Sequence, residues 1–160
     1  MLIGILSDSH DRQARLERAV AELQAAGAEA LIHCGDMTSA SMLQALTPLP
    51  AYFCFGNCDN TLGLQREAKQ LGIHCLGDGG EIELSGRRLA VTHSHLSHEV
   101  ARLLQAEPDY LFSGHSHIAN DWQEGAIRRI NPGALHRAAR YTVVLLDLDS
   151  GEAQWLEIPE

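Results

Sequence analysis

The stretch Leu2-Ile3-Gly4-Ile5-Leu6-Ser7-Asp8-Ser9-His10 decides the reading of the fold. Its first five residues are apolar or glycine, as expected of a buried strand, and they run straight into side chains that carry chemistry. From Asp11 to Gly27 the period changes, with Leu16, Ala19, Val20, Leu23 and Ala26 recurring on one helical stripe. Asp11 is the expected N-cap and Gly27 the expected residue just past the helix end. A second apolar run, Ala30–Cys34, comes next. Strand, helix and strand in this order are the opening of an α/β fold.

Working outward, helices are expected over Ser39–Leu46, stopping before Pro48, and over Leu62–Leu71, closed by Gly72, with a strand at Ala51–Phe55 between them. Glu81–Leu84 and Arg87–Thr92 flank Ser85-Gly86 and read as a hairpin. Ser97 is the expected cap of a helix running through Leu104 and ending before Pro108. Tyr110–Phe112, Asn120–Gln123, Ala126–Ile130, Tyr141–Leu148 and Ala153–Ile158 read as strands. Alternation and then hairpins predict an α/β sandwich with mixed sheets rather than a purely parallel one. The sequence has no repeat, linker or low-complexity tract, so residues 1–160 are expected to form one domain.

Composition narrows the function. Apolar residues make up 45% and charged residues 21%, which argues against disorder. The net charge of −9, from 12 basic and 21 acidic residues, disfavours broad nucleic-acid binding, which depends on Lys and Arg. No apolar run reaches the roughly 18 residues a membrane helix needs, and no signal peptide opens the chain. Cys34, Cys54, Cys58 and Cys75 form no C-x-x-C pair, and the expected location is the cytoplasm. The oligomeric state, homo-oligomers included, is left open.

The informative feature is the group of residues just past each strand. Asp8-Ser9-His10, Gly35-Asp36, Gly56-Asn57-Cys58-Asp59, His93-Ser94-His95 and Gly114-His115-Ser116-His117 each come after an apolar run. Sites in open α/β folds lie beyond the carboxyl ends of strands, so the five segments are expected to converge. Residues two apart in extended chain share a side, which would aim Asp8 with His10, and His115 with His117, at one point. Asp8, His10, Asp36, Asn57, His93, His115 and His117 are the candidate metal ligands. Seven exceed the needs of one tetrahedral zinc, whereas two ions sharing a carboxylate would use them all. Oxygen and imidazole donors without thiolate suit Mn, Fe, Ni, Co or Zn, with Mn favoured. Paired ions clamp the attacking and leaving oxygens of an in-line displacement and make hydroxide available near neutral pH. Phosphoester hydrolysis is the chemistry that most needs this.

The ordered motifs D-x-H, G-D, G-N-C-D, T-H-x-H and G-H-S-H resemble the calcineurin-like metallophosphoesterase superfamily, and the short length of the chain and the G-N-C-D form resemble its small bacterial and archaeal phosphodiesterase branch. The resemblance runs from Asp8 to about Gly133. It implies a four-layer α-β-β-α sandwich. It also implies a first metal on Asp8, His10 and His117, a second on Asn57, His93 and His115, and Asp36 bridging both. The expected reaction is hydrolysis of a small or nucleotide-like phosphodiester by metal-hydroxide attack, with Asn57 and His95 assisting. The alternatives are a phosphomonoesterase and a non-catalytic protein-binding scaffold of the same fold. The scaffold predicts lost ligands, and all seven positions are filled.

Two departures from the superfamily matter. Cys58 stands where many members have histidine, and reads either as a proton donor or as packing. Ser94 stands where glycine is usual, so a φ above zero there would strain the turn. Asp59 reads as a group that orients the site or as an N-cap of the Leu62–Leu71 helix. His33 reads as a satisfied core histidine, and His74, His98 and His136 as ordinary surface histidines. Arg128, Arg129, Arg137 and Arg140 read first as solvated charge, second as a rim that guides phosphate.

Overall fold

The computed structural model describes residues 1–160. Five strands carry the site. They are β1 (Leu2–Leu6), β2 (Ala30–His33), β3 (Ala51–Phe53), β6 (Arg87–Thr92) and β7 (Tyr110–Phe112). The remaining strands are β4 (His74–Cys75), β5 (Gly79–Leu84), β8 (Asn120–Glu124), β9 (Ile127–Asn131), β10 (Thr142–Asp147) and β11 (Ala153–Glu157). One sheet has the order β11-β10-β1-β2-β3-β4 and the other β5-β6-β7-β9-β8. In the first, β1, β2, β3 and β4 are parallel, β10 runs antiparallel to β1, and β11 runs antiparallel to β10; in the second, β6, β7 and β9 are parallel and β5 and β8 antiparallel to them. Both sheets are therefore mixed, as the sequence pattern predicts.

Alternation along the strands builds the layers. Leu31 and Phe53 turn toward helix α1 (Gln13–Ala25), the 3₁₀ helix Ala40–Leu46 and helix α2 (Thr61–Leu71), where they join an apolar cluster with Leu16, Leu23, Leu43 and Leu64. Ile3, Ile5 and Ile32 turn the other way and meet Leu89, Val91 and Phe112 between the two sheets. On the far side, Ala90 and Leu111 pack on Leu103 of helix α3 (Ser97–Gln105). The result is four layers, α-β-β-α. Central strands buried on both faces explain why β1 and β2 read as continuous apolar runs.

Several local expectations are corrected. Asp11 does not cap α1; it adopts a φ of 58° and its carboxylate accepts from the Ser39 N–H and hydroxyl, tying two loops together. Gly27 does close α1, with a φ of 96°. Residues 40–46 form a 3₁₀ rather than an α-helix. Asn60, not Asp59, caps α2 by accepting from the Gly63 N–H. Ser97 lies inside α3, whose N-cap is Leu96, and it makes no side-chain cap bond. Strand β4 has two residues, too short to leave a periodic signal.

Candidate metal centre

Strands β1, β2, β3, β6 and β7 end on one edge of the sandwich, and the loops after them meet there. Asp8 Oδ1 lies 3.8 Å from His10 Nε2, 3.9 Å from His93 Nε2 and 3.1 Å from His117 Nε2. Asp36 Oδ2 lies 3.5 Å from His10 Nε2 and 3.3 Å from His93 Nε2. Asp8, Asp36 and His93 are buried, and His10 and His117 are partly so.

Most of these side chains have one atom tied back and another aimed inward. Asp8 Oδ2 accepts from the Ser7 hydroxyl at 2.6 Å and the His115 N–H at 3.1 Å, leaving Oδ1 to face the imidazoles. Asp36 Oδ1 accepts from the Cys58 N–H at 2.8 Å, leaving Oδ2 between His10 and His93. His93 Nδ1 bonds the Cys34 carbonyl at 2.8 Å and His117 Nδ1 the Arg137 carbonyl at 3.3 Å, so both rings present Nε2. Backbone bonds of this kind fix the tautomer and orientation of metal-ligating histidines.

The inward atoms test whether the donor set fits a cation. Asp8 Oδ1, His10 Nε2, His93 Nε2 and His95 Nδ1 are buried and have no aligned hydrogen-bond partner. One such atom costs about 1–3 kcal/mol, and the three on Asp8, His10 and His93, which face one another, are explained by a ligand that binds them together. The donors fall into overlapping groups, Asp8 with His10 and His117, Asp8 with Asp36 and His93, and His10 with Asp36 and Cys58. A set of carboxylates and imidazoles fits borderline divalent cations.

The backbone is strained where the donors are. Asp8, His10, Asp36, His115 and His117 all have φ between 40° and 70°. Strain of this kind persists only where the surroundings over-determine it, and it clusters at functional sites. It also corrects the expected geometry. Asp8 and His10 do converge, but through left-handed turns and not through the alternation of an extended chain. Glycines make room for this. A Cβ at residue 56 would overlap the Asp36 carboxylate, and one at residue 114 the Ser7 hydroxyl. Ser94 has the left-handed φ of 75° that its sequence position threatened.

Electrostatics track the geometry. Burial pushes the Asp8 and Asp36 carboxyls up, but His10, His93 and the hydrogen bonds to Ser7 and Cys58 outweigh it and hold both below their usual range. Asp8 raises His10. Burial pulls His93 down, yet Asp36 and Asp8 leave it raised. A cation would have to displace protons from these rings, so its affinity weakens as the pH drops. Burial lowers His95, helped by His93 and His115.

The remaining predicted residues lie around this cluster. His115 is exposed, its ring 5.0 Å from that of His93. His95 sits 5.4 Å from the His93 ring. Asn57 is exposed and its amide donates to Cys58 Sγ at 3.4 Å, turned onto its neighbour rather than into the cluster. The Cys58 thiol is raised by desolvation and by Asp36, and stays protonated. Asp59 accepts from three backbone N–H groups, those of Asp36, Thr38 and Gly56, and so clamps the two loops that carry Asp36 and Asn57. Asn131 donates to the Gly114 carbonyl and the Ser116 hydroxyl, pinning the G-H-S-H loop.

His33 is the satisfied core histidine expected, bonded to the Ser9 hydroxyl and the Gly35 N–H, and burial pushes it down to about 3. His136 is not an ordinary surface histidine. Its ring is 5.4 Å from that of His10, and its Nδ1 accepts from Arg12 Nε at 3.2 Å. It has no motif around it, and only the folded chain brings it to the site. The four arginines divide. Arg128 and Arg129 pair with Asp121 and Glu124 away from the metal ligands, whereas Arg137 and Arg140 border His117 in a groove.

A two-sheet α-β-β-α sandwich with this donor cluster at its strand ends is the arrangement of a metal-dependent phosphoesterase. Comparison with known proteins agrees. The calcineurin-like phosphoesterase superfamily domain matches residues 1–151, and the chain belongs to that superfamily. It is 28% identical to a probable metallophosphoesterase of Bacillus subtilis, over 98% of this chain and 91% of that protein. It is 26% identical to a phosphodiesterase of Methanocaldococcus jannaschii, over 83% of each chain. Among solved structures, an archaeal phosphodiesterase superposes with a TM-score of 0.88 at 24% identity, covering 98% of this chain and 99% of the other. At that identity the likeness bears on the fold.

Proposed function

We propose that this protein is a dinuclear metal-dependent phosphodiesterase acting on a small or nucleotide-like diester, with manganese as its preferred ion. The observation that carries the reading is the set of three buried, unpartnered atoms on Asp8, His10 and His93, facing one another across the site. Asp8, His10 and His117 would hold one ion, and Asn57, His93 and His115 the other. The Asp36 oxygen between His10 and His93 would be shared. Two divalent cations there would supply hydroxide near neutral pH and neutralise the charge developing on phosphorus.

The chain's own residues do the rest. Asp59 and Asn131 hold the ligand-bearing loops in place. Asn57 would reach an ion by rotating off Cys58, and His95, with its Nδ1 unpartnered beside His93, would be the residue to meet a phosphate. The protonated Cys58 thiol would be available to hydrogen-bond a leaving oxygen once Asn57 turns away from it. No helix is long and apolar enough to cross a membrane, and the four cysteines are unpaired, which supports a cytoplasmic location. The acidic net charge of −9 supports a small phosphoester rather than broad nucleic-acid binding.

The test compares bis-p-nitrophenyl phosphate with p-nitrophenyl phosphate in the presence of Mn²⁺. Faster hydrolysis of the diester is the expected result. A preference for the monoester overturns the diesterase assignment, and inactivity on both with Mn, Fe, Ni, Co and Zn overturns the enzymatic one.

A further inference from the structure

A groove of about 570 Å³ starts at His117 and runs between the Ser116–Ala119 loop and the segment Arg137–Arg140. No carboxylate lines it, in a chain with 21 acidic and 12 basic residues. The side chains of Arg137 and Arg140 make no hydrogen bond or ion pair. Every other arginine except Arg66 is engaged with a carboxylate, a carbonyl or His136. Its lining also includes the apolar side chains of Ile118, Ala119 and Trp155. Ile118 is 67% exposed, one of only two large apolar side chains so open to solvent. The Trp155 indole N–H is buried without an acceptor. The groove is joined to the site by His117, whose Nδ1 bonds the Arg137 carbonyl while its Nε2 lies 3.1 Å from Asp8.

We propose that this groove holds the arm of the diester beyond the scissile phosphate, and that this arm is an aromatic nucleoside carrying a further phosphate. The proposal rests on the phosphodiesterase reading above and specifies its substrate class. The volume lies within the roughly 300–1,000 Å³ typical of small-ligand sites. Guanidinium groups free of carboxylates match phosphate, which accepts two parallel N–H bonds from a planar fork. A purely apolar arm would leave Arg137 and Arg140 unused, and a short alkyl phosphate would leave Ile118 and Trp155 uncovered. An aromatic nucleoside phosphate uses both the guanidinium and the apolar lining.

The test has a kinetic and a binding arm. In the first, kcat/KM with Mn²⁺ is measured for a diadenosine dinucleotide with and without a 5′-terminal phosphate, and for bis-p-nitrophenyl phosphate. The phosphorylated dinucleotide is expected to be preferred. The Arg137→Gln/Arg140→Gln variant should lower its advantage over the unphosphorylated one by about tenfold, the worth of charge-assisted hydrogen bonds. In the second, Trp155 fluorescence is titrated with adenosine 3′,5′-bisphosphate in EDTA, in a Trp122→Phe background that removes the other tryptophan. A saturable change, weakened by the double arginine variant, is expected. If bis-p-nitrophenyl phosphate is hydrolysed but the terminal phosphate confers no preference and the fluorescence does not respond, the groove proposal is overturned and the phosphodiesterase reading stands. If no diester is hydrolysed, the phosphodiesterase reading falls, and with it the groove's role as a substrate site.

Discussion

On β8 and β9, Arg128 meets Asp121 at 2.7 Å and Arg129 meets Glu124 at 2.6 Å, each with its guanidinium hydrogen-bonded. At the strand ends, Asp8 and Asp36 face His10, His93 and His117 at 3.1–3.9 Å, and three of the inward atoms are buried without an aligned partner. Both regions bring acids and bases together. In the first, each charge is answered by its neighbour and water reaches the pair, with Arg129 Nε the single buried atom left without a partner. In the second, the protein answers the outward atoms and leaves the inward ones to something else. Charges that answer one another support the fold, whereas several inward donors left open together mark a candidate ligand site.

The comparison can be broken at either end, and the largest effect is expected at the strand ends. Removing divalent ions with EDTA should abolish diester hydrolysis, and adding Mn²⁺ should restore it; full activity after exhaustive chelation would place the site in the same class as β8–β9. Asp59→Ala should be the most destabilising of the single changes, by about 3 kcal/mol in urea denaturation, because it strands three backbone donors at once. Ser94→Gly should instead stabilise. Left-handed backbone costs a non-glycine residue roughly 1–2 kcal/mol, more than the roughly 0.4–1 kcal/mol glycine adds to unfolded-chain entropy, so a net gain of about 0.5–1 kcal/mol is expected in the same assay. Glu124→Gln, which breaks the exposed Arg129 pair, should change stability by less than about 0.5 kcal/mol and leave hydrolysis as it was.

These contrasts also show how much a sequence carries. The strands with site loops are legible because their buried stretches, such as Leu2–Leu6, Ala30–Ile32 and Leu89–Val91, are apolar and give way abruptly to Asp, His or Gly-Asp. The layer order came from the superfamily resemblance, and α1 and α2 from their helical stripes. The features that escaped depend on tertiary contact. Asp11 looks like a cap but bonds Ser39, 28 residues away. His136 reaches His10 from the opposite end of the chain and stands in no motif. Arg128 and Arg137 are equally basic in sequence, and only the fold gives one an Asp121 and leaves the other free. The convergence of Asp8 with His10 was foreseen, but its left-handed path was not, because strain is visible only once the surroundings that enforce it are in place.

In the proposed centre, Asp36 joins two cation sites into one. This bridging is tested most directly by loading wild type and Asp36→Asn with Mn²⁺, removing free ion by gel filtration and counting bound metal. Wild type should retain two ions per chain. Asp36→Asn should retain at most one, with diester hydrolysis down by at least about 100-fold, beyond the roughly 10–100-fold expected when only a supporting contact of a metal ligand is lost. Two ions and an unchanged rate in Asp36→Asn would contradict the account.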